Sequence, residues 1–282
     1  MEIEFIRKAS AFLENPSLLV KFTAIIGKPV ETGLMLLPAM TQNLVAKTTK
    51  IALDKALSVA IQTIGSSGAG SFEYGQEVSR KTNFIHTGAT AALGFTGGAF
   101  GLLGSAVELP ITTGVMLRRI ASIARDHGQD MNILKTQLEC LTVFAMVAPS
   151  QGDDGMKSAY FTSRIALNKL LDESAKWAAK KNSQEISAAV ATKSAPILVQ
   201  FISRIAARYN VMVTDALLAK SIPGVAMVNG SLINSAFTEY FNTVARYHFG
   251  IRALEDRYGQ DLIRSLYENN KVPSWLDTWF LD

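Results

Sequence analysis

The sequence predicts an all-α protein, a multi-helix bundle around two glycine-rich apolar helical hairpins. Three observations carry this. Apolar residues recur at helical spacing along nearly the whole chain, with almost no alternating pattern of the kind strands need. Thr87 to Val107 is an uncharged stretch of 21 residues, six of them glycine, that leads into the helical pattern of ITTGVMLRRIASIARDHG. A second uncharged stretch, Ser221 to Thr238, also carries glycine and also runs into a helix with a basic end. Composition agrees: 48% of the 282 residues are hydrophobic at a mean hydropathy of +0.18, enough to fill a sizeable core. Charged residues make up 18%, below the roughly 25% of typical soluble domains, which points to extensive burial or to contact with a membrane. The expected organisation is an N-terminal helical region over 1–76 that packs on a helical core over 77–258, with a tail over 259–282, all in one continuous domain.

The elements follow in order. Residues 2 to 14 read as a short helix, with Ile3, Phe5, Ile6, Ala9 and Phe12 at helical spacing and Asn15-Pro16 as its stop. Ser17 to Ile26 fits another short helix, and Val30 to Ile64 a long one interrupted near Pro38. GSSGAGSFEYGQ, residues 65 to 76, is a linker, and 77 to 85 are a polar lead-in. Asp130 opens a helix through Leu134, Leu138, Leu141 and Phe144 that stops before Pro149. Residues 156 to 180 form an amphipathic helix with Tyr160, Phe161, Ile165, Leu170, Leu171 and Trp177 inward. Ser183 and Glu185 open the next helix, which reaches Arg208 past a bend at Pro196. In the tail, Trp275, Trp279 and Phe280 are expected to anchor on the body.

The two glycine-bearing stretches are the centre. Gly94, Gly97, Gly98, Gly101 and Gly104 fall largely four apart, so one helix face lacks side chains and a second backbone can approach it closely. Each glycine costs roughly 0.8–1.0 kcal/mol of helix propensity relative to alanine, so close packing must offset the loss. Pro110 suits the first turn of a helix, which puts Glu108 at or beside its N-cap, and Gly128 suits the C′ position after His127. Gly104-Ser-Ala-Val-Glu108 aligns with Gly230-Ser-Leu-Ile-Asn234, and Pro223 and Gly224 precede the second stretch. If the two are equivalent, Glu108 and Asn234 occupy corresponding turns.

Few chemical signatures are present. The single cysteine, Cys140, excludes an intramolecular disulfide and a multi-thiolate zinc site. His86, His127 and His248 have no metal-binding spacing, and SQGDDG (150–155) lacks the calcium-loop pattern. No phosphate loop, GxSxG elbow or HExxH occurs, so no metal or cofactor is implied. A net charge of +4 without a basic run interleaved with aromatics argues against nucleic acid as a partner, while leaving an attraction to anionic lipid. Acids at positions 2 and 4 and no long apolar core set the N-terminus apart from a secretory signal, so a cytoplasmic location is expected. The polar residues in apolar settings are Glu108, Arg118, Asn229, Asn234, Arg246, Arg252 and Glu255. They are candidates for a structural network that joins the hairpins, or for a ligand pocket between helices.

These segments resemble the EcsC family. The glycine-rich run, acid-Leu-Pro and LRRIASIARDHGQD resemble that family's G-rich run, DLP and R-x-I-x-x-I-A-x-x-Y-G-x-D. IPGVAMVNGSLINSAF with VARYHFGIRALEDRYG resembles its P-x-x-G-A-x-x-G-x-x-x-N and A-x-x-x-F-x-x-R-x-L-E. Position by position, the resemblance marks Glu108, Pro110, Arg118, Gly128, Asp130, Pro223, Gly224, Asn234, Arg252 and Glu255. Glu108 stands where the family usually has Asp, and His127 where it usually has Tyr. The family takes its name from a gene beside an ABC transporter and has no settled activity.

The two uncharged stretches and the low charged fraction make the leading expectation a non-enzymatic accessory or interaction protein, in the cytoplasm or peripheral to the inner face of the membrane, with a link to transport or secretion. Membrane lipid or a membrane protein would be its partner; the oligomeric state is left open. Two alternatives stand beside it: a hydrolase or small-ligand-binding protein using a pocket around Glu108 and Arg118, and a glycine-zipper protein that inserts into membranes. Gly98→Leu or Gly101→Leu is expected to destabilise the fold by about 1–3 kcal/mol through overpacking, read by thermal melts. A melt unchanged from wild type refutes close packing there.

Overall fold

The computed structural model describes residues 2–14, 39–63, 109–146, 158–221 and 225–269. Gly94, Gly97, Gly98, Gly101, Gly104, Glu108, Pro223 and Gly224 lie outside the described residues, as do the linker at 65–76 and the aromatic tail. The described residues are all-α, with no strand among them. In chain order they form α1 (Glu2–Glu14), α2 (Ala39–Thr63), α3 (109–126), α4 (Leu134–Thr142) with a 3₁₀ turn at Val143–Ala145, α5 (Ala159–Ala178), α6 (Ser183–Thr192), α7 (Pro196–Ser221), α8 (Val225–Tyr258) and α9 (Gln260–Asn269). No single helix among the described residues is long and apolar enough to cross a membrane. The pair Ser183–Thr192 and Pro196–Ala216, bent by 70°, passes on length and composition only when taken together.

Helix ends follow local chemistry. After α3, Gly128 takes φ 81°, and the Gln129 and Gly128 N–H groups donate to the Ala124 and Arg125 carbonyls (3.0 and 2.9 Å). This is a Schellman end with glycine at the left-handed position. The next helix begins at Leu134 rather than Asp130, because the Asp130 carboxylate instead accepts the Asn132 N–H at 2.8 Å and holds a turn. At α6 the cap is Asn182, one residue before Ser183, in a reciprocal box with Glu185. That helix stops at Lys193, in the left-handed region at φ 55°, and α7 starts afresh at Pro196, so what reads in sequence as one bent helix is two.

Packing centres on α7 and α8. Leu198, Phe201, Ile202, Ile205, Tyr209, Met212 and Val213 form the buried stripe of α7, and α2 lays Val45, Ala52, Leu53, Ala56 and Leu57 along it. Phe144, Tyr209, Phe237 and Phe241 stack in tilted and edge contacts with centroids 4.8 to 6.1 Å apart. In α5, Tyr160, Arg164, Leu167, Leu171, Ser174 and Ala178 are buried at spacings of three and four. Ile165 is off this stripe and 54% exposed, against the sequence expectation.

Two further expectations change. Asn234 is not at a turn: Val225–Tyr258 is one continuous helix of 34 residues, and Asn229 and Gly230 lie within its span. A single glycine costs about 1 kcal/mol of helix propensity, too little to break a helix that packs along most of its length. Residues 260–269, read as tail, form α9, which turns off α8 at Gly259 (φ 90°) and buries Ile263 and Tyr267.

α1 reaches α8 at Gly250, where an added Cβ would stand 2.3 Å from Phe5 Cζ. Phe5 also packs against Tyr247, with ring centroids 5.5 Å apart. Gly250→Ala is therefore expected to destabilise by about 1–3 kcal/mol in denaturant unfolding, and to cost nothing further in a Phe5→Ala background. An equal cost in both backgrounds refutes this contact as the cause.

Candidate functional site

The densest polar cluster joins α4, α5 and α8 in the interior. In α4, Glu139 lies among Leu138, Cys140 and Leu141, and its side chain is 8% exposed. In α5, Tyr160 and Arg164 share the inward stripe one turn apart. In α8, His248, Arg252 and Glu255 present the same face at spacings of four and three. Arg164 donates from Nη1 and Nη2 to Glu255 Oε1 and Oε2 at 2.8 and 2.5 Å, a bidentate pair. Arg252 bridges the two acids, with Nη1 3.4 Å from Glu255 Oε2 and Nε 3.1 Å from Glu139 Oε1. His248 is fully enclosed, its Nδ1 2.9 Å from the Tyr160 hydroxyl and its Nε2 3.3 Å from Glu139 Oε1.

The electrostatics assign the protons. Burial opposes ionisation of Glu139, but His248, Arg252 and Arg164 outweigh it and hold the carboxyl down at about 2. Burial also drives His248 below the ordinary histidine range, more strongly than the Glu139 carboxylate pulls it up. Burial raises the Tyr160 phenol well above its usual value, so its O–H stays protonated. A neutral imidazole then accepts from Tyr160 at Nδ1 and turns Nε2–H toward Glu139. Two carboxylates face two guanidiniums, and every charge in the cluster has an opposite neighbour. The Arg164–Glu255 pair lines one side of a small cleft of about 100 Å³, with Asn168, Asp261 and Arg264 around it. Nearby, Glu14 accepts the Ala159 N–H at 2.9 Å and the hydroxyls of Ser158 and Tyr267, fastening α1 and α9 to the start of α5.

Of the residues singled out in the sequence, the structure brings Arg252 and Glu255 together here. Arg246 pairs with Glu239 on the more exposed side of α8. Asn234 is buried on α8 about 30 Å along the axis from Glu255, at roughly 1.5 Å per residue. Arg118 is exposed, and its neighbour Arg119 faces inward instead. Pro110 lies in the first turn of α3. Glu108 and the Asn229 side chain lie outside what is described. Sequence reasoning missed Glu139, Tyr160, Arg164 and His248. The available signals were a lone acid in LECLTVF and a lone arginine in YFTSRIAL, each a charge at an apolar position of its helix. Among the described residues no group of three or more His, Cys, Asp and Glu side chains is arranged to hold a metal ion.

A family model described as the EcsC protein family matches residues 15–254. No curated protein and no solved structure matches the chain.

The proton assignment makes stability acid-sensitive in two windows. His248 has a depressed folded pKa, so its contribution is complete above about 6.5 and is lost as pH falls below it. Glu139, at about 2 in the fold against 4.5 when unfolded, contributes fully above pH 4.5 and loses its contribution between 4.5 and 2. Asp215, pushed up to about 6 by burial, gives the opposite slope between 3.8 and 6, so comparison with variants isolates each group. Glu139→Gln is expected to cost about 3 kcal/mol in urea unfolding at pH 7, with the difference from wild type shrinking as pH falls from 4.5 toward 2. A difference that stays constant with pH refutes the assignment.

Proposed function

The chain belongs to the EcsC protein family, and on that premise we propose that it is an accessory or interaction protein, not a catalyst, that works in the cytoplasm at the inner face of the membrane in support of transport or secretion. The observation that carries the non-catalytic part is the enclosure of Tyr160, His248 and Glu139 within the α4–α5–α8 cluster. General acid–base work needs a group within about 3 Å of a substrate proton. Nδ1 of His248 is bonded to Tyr160, Nε2 lies 3.3 Å from Glu139 Oε1, and the imidazole is 0% exposed. Arg164 and Glu255 are likewise committed to each other. The cluster acts as a lock that sets three helices in one register. The membrane part is supported by the low charged fraction and by the uncharged stretch at 87–107. It is supported also by the net positive charge, since each basic residue near an anionic surface contributes about 1 kcal/mol.

Flotation with vesicles tests this reading. The protein is expected to float with vesicles rich in anionic lipid at low salt, to float less at high salt, and to remain at the bottom with purely zwitterionic vesicles. Protein that stays at the bottom with anionic vesicles at low salt rules out the lipid-contact part. Release of an entrapped dye would favour membrane insertion over peripheral attachment.

A further inference from the structure

A second buried arginine is treated differently from Arg164. Arg119 on α3 is 2% exposed, yet neither its Nε nor its Nη1 has a hydrogen-bonding partner. The charges that act on Arg119 are Asp126 on its own helix and Glu239 and Arg246 on α8, the side of α8 turned away from Glu255. Neither carboxylate closes on it. Glu239 is engaged by Arg246 and by the Asn242 amide. Asp126 lies seven residues further along α3, roughly 10 Å by helix rise. Its Oδ2 also lacks a partner, and burial pushes its carboxyl toward the neutral form. Thr112, seven residues before Arg119 on the same face, has an unpartnered buried hydroxyl. Asn242, between Glu239 and Arg246 on the facing stripe of α8, is 2% exposed with Oδ1 unpartnered.

An enclosed guanidinium without a carboxylate is costly, and Arg164 shows how the same fold satisfies one for structural ends, by a bidentate acid. Guanidinium geometry matches planar and tetrahedral oxyanions. We propose that the α3–α8 seam is a binding site for a small oxyanion of the carboxylate or phosphate class, with Arg119 as its anchor, the Thr112 hydroxyl as a second donor, and Asn242 Oδ1 as an acceptor that orients the guanidinium. The site is separate from the α4–α5–α8 lock, and it stands whether or not the protein attaches to lipid. Its anchor is the neighbour of Arg118, the arginine that faces inward.

Calorimetric titration of the full chain with inorganic phosphate and, separately, with succinate, at ionic strength held constant with chloride, tests the proposal. Wild type is expected to bind at least one probe, and which one it binds separates the two anion classes. Arg119→Gln is expected to weaken that binding at least tenfold, while Arg118→Gln, at the exposed neighbour, leaves it unchanged. If neither probe binds wild type, or if Arg119→Gln binds as wild type does, the proposal is overturned, and Arg119 is then held by solvent or by Asp126 alone. Should Arg119→Gln fail to fold, as judged by circular dichroism, Arg119→Lys decides. It keeps the charge without the planar fork and is expected to weaken binding at least threefold, and unchanged affinity overturns the site.

Discussion

The bidentate contact between Arg164 and Glu255 is the interaction on which the arrangement of α4, α5 and α8 depends. Both side chains are under a tenth exposed, and each ion taken out of water costs several kcal/mol unless its partner sits in good geometry. The geometry is good, two parallel contacts at 2.8 and 2.5 Å, and Arg252 extends it to Glu139. Such a cluster adds little net stability over an apolar replacement. What it adds is selectivity among packings. A slip of α5 by one turn along α8 would leave Arg164 beside apolar side chains and strand Glu255, a penalty of about 3–5 kcal/mol for the broken pair. The apolar stripes of α5 and α8 would tolerate that slip far better, since Leu167 and Leu171 can pack in neighbouring grooves.

α8 can carry this cluster because its other faces are occupied by different means. Phe237 and Phe241 meet Phe144 and Tyr209, Gly250 receives the ring of Phe5, and Gln129 donates to Asp256 at 3.2 Å just beyond α3. Contacts on several sides along its length explain why one helix runs through the glycine and asparagine that suggest a turn in the sequence. Local propensity is a term of about 1 kcal/mol, and each buried aromatic contributes about 1.5–3 kcal/mol.

What was legible in the sequence divides along the same line. Periodicity over short range gave the all-α class, the spans of α1 and α5, and the end of α3 at Gly128, because each depends on residues within two turns of one another. Arg252 and Glu255 were legible as charges on a largely apolar helix face. Their partners were not, since Glu139 and Arg164 come from helices roughly 90 to 115 residues earlier in the chain, and no spacing rule links them. His248 failed for the same reason: its acid is Glu139, on another helix, so a search for histidine–carboxylate spacing passes over it. The choice of Arg119 over Arg118 depends on the rotation of α3 by one residue, about 100°, which periodicity fixes only loosely when both neighbours are arginine.

The Tyr160–His248–Glu139 chain has the order of a proton relay, hydroxyl to imidazole to carboxylate, and its meaning turns on what stands at its outer end. In a relay the hydroxyl faces a substrate and the imidazole cycles between its two charge states. Here the Tyr160 ring is covered by Phe161 and Tyr267, and its phenol is held protonated. His248 is held neutral by enclosure, against the pull of an ionised Glu139. The two conditions reinforce each other, because a protonated phenol needs an acceptor nitrogen and a neutral imidazole supplies one. The Glu139 charge is meanwhile matched by Arg252, which leaves His248 no reason to take up a proton at neutral pH. Chain order alone therefore does not make catalysis. With both ends sealed, the same three groups serve to orient α4 and α5 on α8, and among the described residues the fully buried guanidinium with no acid at ion-pair distance is on the other side of α8, at Arg119.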